Sequence, residues 1–309
     1  MKRFGHIIYI GFLLMVTSCF TGVESTRKIT DKEVEKVVEP SREDQFISGY
    51  FPQIGCAEWE IGKQFYYTDS LLTPVLRPEN GGFSAGSLQG KIFTYAGYRE
   101  ETLFGDRYEV TLRFTSDGIT YLYRTGKTLP ELRQLNYMPL IPPFIDLTDV
   151  QTARALLKGR VLYVKTPIWY DDSGSVISGR KLIPVTITEI LPGNSVLPIK
   201  VRFTDDTGMV GNVFMSLFTS DQSQFITFDR LFSFDDPRLK YKEIQDDVWD
   251  SITREKVRTG MTKDECTLSL GLPAEVRKIP TYSGLKEQWY YNSGTYLFFA
   301  DGLLVDFRL

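Results

Sequence analysis

Residues 110–118 read VTLRFTSDG, and residues 199–208 read IKVRFTDDTG. In the first stretch Val110, Leu112 and Phe114 alternate with polar side chains, which is the period-two pattern of a strand with one buried face. The Asp-Gly at its end favours a tight turn, because Asp tolerates positive φ and Gly adopts it readily. The two stretches therefore predict the same strand and turn at two places in the chain.

The similarity extends beyond these strands. Residues 62–67 (GKQFYY) parallel residues 159–164 (GRVLYV), and residues 90–93 (GKIF) parallel residues 179–182 (GRKL). The offset of about 90 residues is too long for a solenoid repeat and indicates a duplicated domain.

Each copy combines short alternating segments with turn residues, which favours a small antiparallel β-barrel. We predict two such modules of the SH3-like type, at residues 47–127 and 159–240. Residues 128–158 are rich in proline at first and are predicted to be a linker with a short helix. Thr148 is expected to cap that helix, and Gly159 is expected to end it.

A different module follows at residues 244–309. From Asp246 the apolar residues recur with helical spacing, and Thr262 with Glu265 has the spacing of a capping box at the start of a second helix. We predict the order α-α-β-β-β, with inward-pointing residues at alternate positions of the last strand. The strand candidates, of which the first is the weakest, are residues 274–279, 287–291, 296–300 and 303–309.

This module resembles the BamE (SmpA/OmlA) lipoprotein domain. The matching residues are 257–265 (VRTGMTKDE), 270–273 (LGLP), 288–291 (QWYY) and 296–303 (YLFFADGL). The resemblance implies a non-enzymatic accessory of the machinery that folds outer-membrane β-barrels. A similar layout occurs in β-lactamase-inhibitor proteins, which bind through a concave sheet face. The predicted fold class of the whole chain is mostly β and α+β overall.

The N-terminus has the organisation of a secretory signal. Lys2 and Arg3 precede an apolar run at residues 7–16 (IIYIGFLLMV), which is too short to span a bilayer as a helix. The residues that follow, Val16-Thr17-Ser18-Cys19, resemble the lipobox of bacterial lipoproteins. That resemblance implies cleavage before Cys19 and its acylation.

We therefore predict a signal peptide at residues 1–18 and a flexible, polar tether at residues 19–46. Acylated Cys19 is the expected membrane anchor, since several acyl chains hold a protein stably where one does not. By analogy with lipoprotein sorting, an Asp directly after the acylated cysteine would be a signal for retention in the inner membrane. Phe20 occupies that position here. The predicted location is therefore the outer membrane, facing the periplasm.

Composition limits the chemistry. The formal charge of −3 gives no basic field to attract nucleic acid. The single histidine, His6, is lost with the signal peptide, so Ser-His-Asp and Cys-His catalysis and imidazole zinc sites are excluded. No cofactor, no metal and no enzymatic activity are predicted.

Two remaining features have a structural and a chemical interpretation. Four pairs of aspartates lie next to turns or helix starts, and we interpret them as turn and cap residues, with a calcium or catalytic site as the alternative. Cys56 and Cys266 are predicted to be free, packed thiols, although an oxidising periplasm would permit a bridge. The pairs are Asp171-Asp172, Asp205-Asp206, Asp235-Asp236 and Asp246-Asp247.

The predicted function is that of a non-catalytic scaffold or interaction lipoprotein, with an envelope protein or a β-barrel assembly component as partner. Candidate partner-binding residues are Trp289, Tyr291, Trp169 and Tyr170. The same-face strand pairs Trp289–Tyr291 and Tyr296–Phe298 would form a binding surface if exposed, with burial in a core as their alternative role. The alternative function is binding of peptidoglycan or another glycan by the paired β modules. In that case the rings that could stack on sugars are Tyr66, Tyr67, Trp169 and Tyr170.

Overall fold

The computed structural model describes residues 41–81, 86–104, 107–217, 226–282 and 284–309. The predicted signal peptide, Cys19 and most of the predicted tether lie outside these residues. Of the described residues, 38% are in strands and 20% in helices, so the protein is mostly β. Its strands form several antiparallel sheets, including a curled half-barrel.

The described chain begins with a helix, α1 (Arg42–Ser48), followed by a 3-10 turn at Cys56–Glu58. The tether predicted to reach residue 46 therefore ends earlier. The Phe46 ring lies 6.1 Å from the Phe228 ring and 5.2 Å from the Phe234 ring, and Ile47 is 6% exposed. These apolar contacts, made far along the chain, hold the segment in place.

The first sheet contains six strands: β1 (Gln64–Tyr67), β2 (Arg77–Pro78), β3 (Ile92–Phe104), β4 (Arg107–Ser116), β5 (Ile119–Arg124) and β6 (Phe144–Asp146). Their order is β2-β5-β4-β3-β1-β6. On β4 the side chains of Val110, Leu112 and Phe114 are at most 1% exposed, as predicted, but Thr111 and Glu109 on the opposite face are also buried, so the strand is covered on both faces.

The predicted linker is divided between the two sheets: β6 joins the first, whereas Val150, Ala153 and Leu157 of the helix that follows it pack in the core of the second. Helix α2 (Leu129–Gln134) begins with a capping box between Thr128 and Glu131, and β6 pairs antiparallel with β1. Helix α3 (Leu147–Leu157) begins one residue earlier than predicted. Its N-cap is Asp146, whose carboxylate accepts from the Thr148 amide, so the prediction of Thr148 as the cap is wrong.

The second sheet contains seven strands: β7 (Val161–Val164), β8 (Ile168–Tyr170), β9 (Val176–Ser178), β10 (Ile183–Pro192), β11 (Ile199–Asp205), β12 (Val210–Met215) and β13 (Phe232–Ser233). Their order is β13-β7-β10-β11-β12-β8-β9, and helix α4 (Phe228–Leu231) precedes β13.

The two sheets share one arrangement. The order β6-β1-β3-β4-β5 in the first matches β13-β7-β10-β11-β12 in the second. In both, a short helix is the element before the strand that pairs with the first strand of the module, although α2 ends at Gln134 and β6 begins only at Phe144, whereas β13 follows α4 directly. The repeat in the sequence thus corresponds to a repeat of topology.

After a 3-10 turn at Pro237–Lys240, the chain forms helices α5 (Asp246–Thr253) and α6 (Lys263–Leu270). Four strands follow: β14 (Glu275–Thr281), β15 (Gly284–Tyr290), β16 (Tyr296–Ala300) and β17 (Leu303–Arg308). They pair in sequence order, so the predicted α-α-β-β-β is corrected to α-α-β-β-β-β. The weakest strand candidate is a full member of the sheet.

The last strand does not alternate as predicted. Leu304 is 1% exposed, whereas Leu303, Val305 and Leu309 are 47%, 53% and 76% exposed. The cause is a register shift between the pairs Phe298–Asp306 and Phe299–Leu304, which makes Val305 an extra residue and turns Leu304 instead of Leu303 inward. Beyond the shift, Phe307 pairs with Leu297 and packs against the core, as predicted.

Candidate functional site

The two tryptophans predicted to bind a partner lie inside separate cores. Trp169 is fully buried, and its Nε1 donates to the Thr166 carbonyl oxygen at 2.9 Å. Trp289 is 7% exposed and contacts the Phe299 ring at 4.7 Å between centroids. Both tryptophans are therefore core residues, which was the alternative to binding a partner.

The neighbouring tyrosines are half-buried and are not brought together. The Tyr291 hydroxyl donates to the Gly271 carbonyl oxygen at 3.2 Å, and the Tyr170 ring lies 5.3 Å from the Phe214 ring. Tyr67, a candidate for sugar stacking, is fully buried and donates to the Leu71 carbonyl oxygen. Of that glycan-binding set, Tyr66 and Tyr170 alone keep part of their surface exposed.

The C-terminal sheet has one face covered by its helices. Ile252, Met261 and Cys266 pack against the inward residues of the strands, among them Leu297 and Leu304. Burial raises the pKa of the Cys266 thiol to about 12, which keeps it protonated and unreactive. Cys56 is also buried and free, so the prediction of two free, packed thiols is confirmed.

The other face of this sheet is lined by aromatic side chains. The register pairs Tyr290 with Tyr296 and Gln288 with Phe298, and all four residues alternate with the inward positions. The Tyr290 and Tyr296 rings meet edge to face at 5.1 Å, and the Arg277 guanidinium lies 4.9 Å from the Tyr290 centroid. We call Arg277, Tyr290, Tyr296 and Phe298 the open face.

Part of the open face is accessible to solvent. Tyr296 is 40% exposed at one end of the sheet, and Ile279 and Leu303, on the same side at the other end, are 42% and 47% exposed. None of these side chains belongs to a buried cluster formed by the described residues. Exposed aromatic residues beside an arginine have the composition of protein-binding hot spots.

The sequence alone indicates Tyr296 and Phe298 as a possible binding surface, but it does not show which face of the sheet is exposed, because a charged pair lies on the covered side. Glu287 is 4% exposed, and its carboxylate pairs with the Lys263 ammonium of α6 at 2.6 Å. That ion pair is the main cause that lowers the pKa of Glu287. Glu287 and Trp289 lie on the same face of β15, and a glutamate at that position favours a solvent-exposed face. The ion pair with Lys263 instead allows Glu287 to be buried beside Trp289.

The second sheet and the C-terminal module meet at a lysine. The Lys181 ammonium donates to the Ser269 carbonyl oxygen at 2.5 Å and pairs with Glu255 at 3.5 Å. Its backbone amide donates to the Thr253 carbonyl oxygen at 2.8 Å. Burial lowers the pKa of Lys181, and the nearby Glu255 opposes this change.

Beside this contact lies a cleft of about 480 Å³, which we call the junction cleft. Strand β9 and the loop between α5 and α6 contribute to its walls. A second, more polar cleft of about 360 Å³ lies between the first two modules. Its polar lining residues are Thr68, Asp69, Ser70, Gln89, Asn194 and Ser195.

The aspartate pairs act in turns and at helix ends. Asp171 accepts from the Ser175 amide, Asp205 accepts from the Thr207 and Met209 amides, and Asp236 caps the turn at Pro237–Lys240. Asp246 and Asp247 lie in the first turn of α5. Within the described ranges, no group of three His, Cys, Asp or Glu side chains could hold a metal ion.

No helix in the described part of the chain is long and apolar enough to cross a membrane. We compared the chain with protein-family models, with curated proteins and with solved structures, and none of them matches it.

Proposed function

We propose that this protein is a non-catalytic lipoprotein of the bacterial outer membrane that uses its open face to hold an envelope protein facing the periplasm. The observation that carries the proposal is the exposed aromatic side of the C-terminal sheet. Tyr296, Ile279 and Leu303 remain in contact with water there, although the same sheet buries its other side against two helices. The register places the charged residues Glu275, Lys286, Asp306 and Arg308 on the same face, so apolar and charged side chains are mixed there, as they are at the rim of protein-binding surfaces.

The anchor is proposed from the N-terminal motif. Cleavage before Cys19 would leave an acylated cysteine joined to α1 by residues 20–41, which lie outside the described ranges except for residue 41. Fixing a binding surface near a membrane raises its effective concentration toward partners in that membrane, without any new contact.

We also propose that the two repeated modules are SH3-like and that the C-terminal module is BamE-like. The support for the first is the shared strand order, with a short helix before the strand that pairs with the module's first strand. The support for the second is the helix pair that packs on a sheet with the strands in sequence order. A component of β-barrel assembly is the partner that the BamE resemblance favours.

Fractionation tests the anchor. Cys19→Ala should move the protein from the membrane fraction to the soluble fraction, and the unaltered protein should carry fatty acyl groups by mass spectrometry. An unaltered protein that lacks acyl groups would contradict the anchor.

Affinity purification from detergent-solubilised envelopes tests the binding face. The unaltered protein should recover an envelope protein in stoichiometric amount, and Tyr296→Ser with Phe298→Ser should lose it. Val161→Ser is the matched control, because Val161 is 57% exposed but lies in another sheet. Equal recovery by all three proteins would contradict the proposed use of the open face.

The polar cleft supports a second candidate, binding of peptidoglycan. Its carboxylate, amide and hydroxyl groups, contributed by Asp69, Gln89 and Asn194 among others, suit the hydroxyls of a glycan. Sedimentation with purified peptidoglycan should deplete the protein if this candidate is correct, and Asn194→Ala should reduce the depletion.

A further inference from the structure

Strand β9 is the last strand of the second sheet, and one of its edges has no partner strand among the described residues. It pairs with β8 on the other side, with Trp169 opposite Ile177. The hydrogen bonds from the Asp171 amide to the Ser175 carbonyl oxygen and from the Gly179 amide to the Pro167 carbonyl oxygen fix the pattern of this ladder.

In an antiparallel ladder, hydrogen-bonded pairs alternate with pairs that direct their amide and carbonyl groups away from each other. The pairs Asp171–Ser175 and Pro167–Gly179 donate across the hairpin, so the pairs that contain Val176 and Ser178 do not. The amide and carbonyl groups of Val176 and Ser178 therefore point to the open edge, where they can form hydrogen bonds with an added strand.

The junction cleft runs along this edge. All three residues of β9 line it, although the side chains of consecutive strand residues point to opposite faces. The cleft also takes in Ile168, which lies opposite Ser178 on β8, so it extends from the edge of β9 over the face that Ile168, Val176 and Ser178 share. Its other wall includes Arg254, Glu255 and Lys256, which the Lys181 contact with Glu255 holds near the second sheet.

The apolar lining of the cleft is accessible. Ile168, Val176 and Met209 are 55%, 67% and 37% exposed. The volume of about 480 Å³ falls within the range of roughly 300–1,000 Å³ that is usual for binding clefts. Apolar side chains of an added segment would cover surface that is otherwise in water.

The charges of the lining favour an anionic partner. Asp205 is satisfied by Arg180 and by its own turn, and Glu255 is paired with Lys181. Lys256 is exposed, and among the described residues its ammonium has no hydrogen-bond or ion-pair partner. The cleft thus offers a cation in a chain whose formal charge is −3.

We propose that the open edge of β9 binds an extended peptide segment of a partner protein, in which apolar side chains alternate with acidic ones. The segment adds a strand to the second sheet through the main-chain groups of Val176 and Ser178. Its apolar side chains cover Ile168 and Met209, and an acidic side chain meets Lys256. This site shares no residue with the open face, so it goes beyond the proposed function and can fail or stand independently of it.

The test uses the full chain in detergent and two pools of amidated octapeptides. The acidic pool alternates Val, Ile, Leu or Phe with Asp or Glu, and the basic pool has Lys or Arg in place of the acids. Fluorescence anisotropy measures binding of each pool. The acidic pool should bind at least about tenfold more tightly than the basic pool, because like charges at Lys256 disfavour the latter.

Ser178→Pro removes one edge amide and places a ring there, and proline is tolerated where an edge amide faces solvent. It should weaken binding of the acidic pool by about tenfold, while the control Ser178→Ala, which keeps the amide, should stay within about twofold. Lys256→Glu should remove the preference for the acidic pool without changing the edge strand.

The proposal is overturned if the acidic pool shows no saturable binding, or if it binds no more tightly than the basic pool. It is also overturned if folded Ser178→Pro binds as well as Ser178→Ala. Should Ser178→Pro fail to fold, Lys256→Glu decides: an unchanged preference for the acidic pool rejects the site.

Discussion

Trp169 fills a space that two glycines leave open. A Cβ at Gly211 would lie 2.7 Å from Trp169 Cε3 and 3.0 Å from Phe203 Cε2, and a Cβ at Gly179 would overlap the same indole. From the sequence alone, the pair Trp169-Tyr170 is compatible with binding a partner and with packing in a core. The glycines that decide between these roles are 10 and 42 residues away in the chain, so spacing does not reveal them.

Gly211→Ala should therefore lower the free energy of unfolding by about 1–3 kcal/mol, because the added methyl group overpacks the Trp169 site. Gly49→Ala is the control, since a Cβ there meets one atom at an ordinary 3.5 Å. Urea unfolding followed by tryptophan fluorescence measures both. Equal stability of the two variants would show that the site around Trp169 is looser than described.

Asp149 gives a prediction about pH. Burial is the main cause that raises its pKa to about 6, with Asp146 adding to the increase and Lys63 opposing it. Because this value exceeds the unfolded value of about 3.9, the folded state binds more protons between these limits, and the free energy of unfolding falls as pH rises through about 4 to 6.

Asp149→Asn should remove that fall and stabilise the protein at pH 7.5 by about 1–2 kcal/mol, a value reduced for partial solvent access. Urea unfolding of both proteins at pH 4.5 and pH 7.5 measures the effect. Parallel changes with pH in the two proteins would contradict the environment described for Asp149.

At the scale of elements, local signals succeeded where one capping residue or turn decides the structure. The Thr262–Glu265 capping box starts α6 as predicted, and the Asp301-Gly302 turn joins β16 to β17. Strand β6 was missed because it has three residues, follows two prolines and is extended through pairing with β1 about 80 residues earlier. The sequence around β6 contains no pattern that indicates its pairing with β1.

Because of the register shift in β17, substitutions of the adjacent residues Leu304 and Val305 should affect stability very differently. Leu304→Ala should lower the free energy of unfolding by about 2–5 kcal/mol, because Leu304 is buried against the helices. Val305→Ala should change it by no more than about 0.5 kcal/mol, since Val305 is 53% exposed. Thermal or urea unfolding measures both, and a larger effect at Val305 would show that the strand is in the other register.

At the scale of the whole molecule, the duplication could be predicted and the packing between modules could not. Similar strands repeat locally, so the sequence shows them twice. The contacts that join the parts link residues that are far apart, such as Arg42 with Asp235 and Lys181 with Ser269. Such contacts depend on the folded shapes of both modules and leave no periodic pattern.

Lys181→Met should uncouple the C-terminal module from the second sheet. The change leaves the Ser269 carbonyl oxygen without its lysine donor and Glu255 without its ion pair, at a cost of about 1–3 kcal/mol. Calorimetry should show the last module melting at a lower temperature than the rest. Lys240→Met is the control, as Lys240 is exposed, and a similar melting profile for both variants would contradict the role of Lys181.

The most direct test of the central claim is site-specific photo-crosslinking in intact cells, with the photoreactive residue placed at Tyr296 or, as the control, at Val161. The account predicts one abundant adduct with an envelope protein from position 296, none from position 161, and loss of the adduct when Cys19→Ala removes the anchor. Equal adducts from both positions, or an adduct from position 296 that survives Cys19→Ala, would contradict a lipid-anchored protein that binds through its open face.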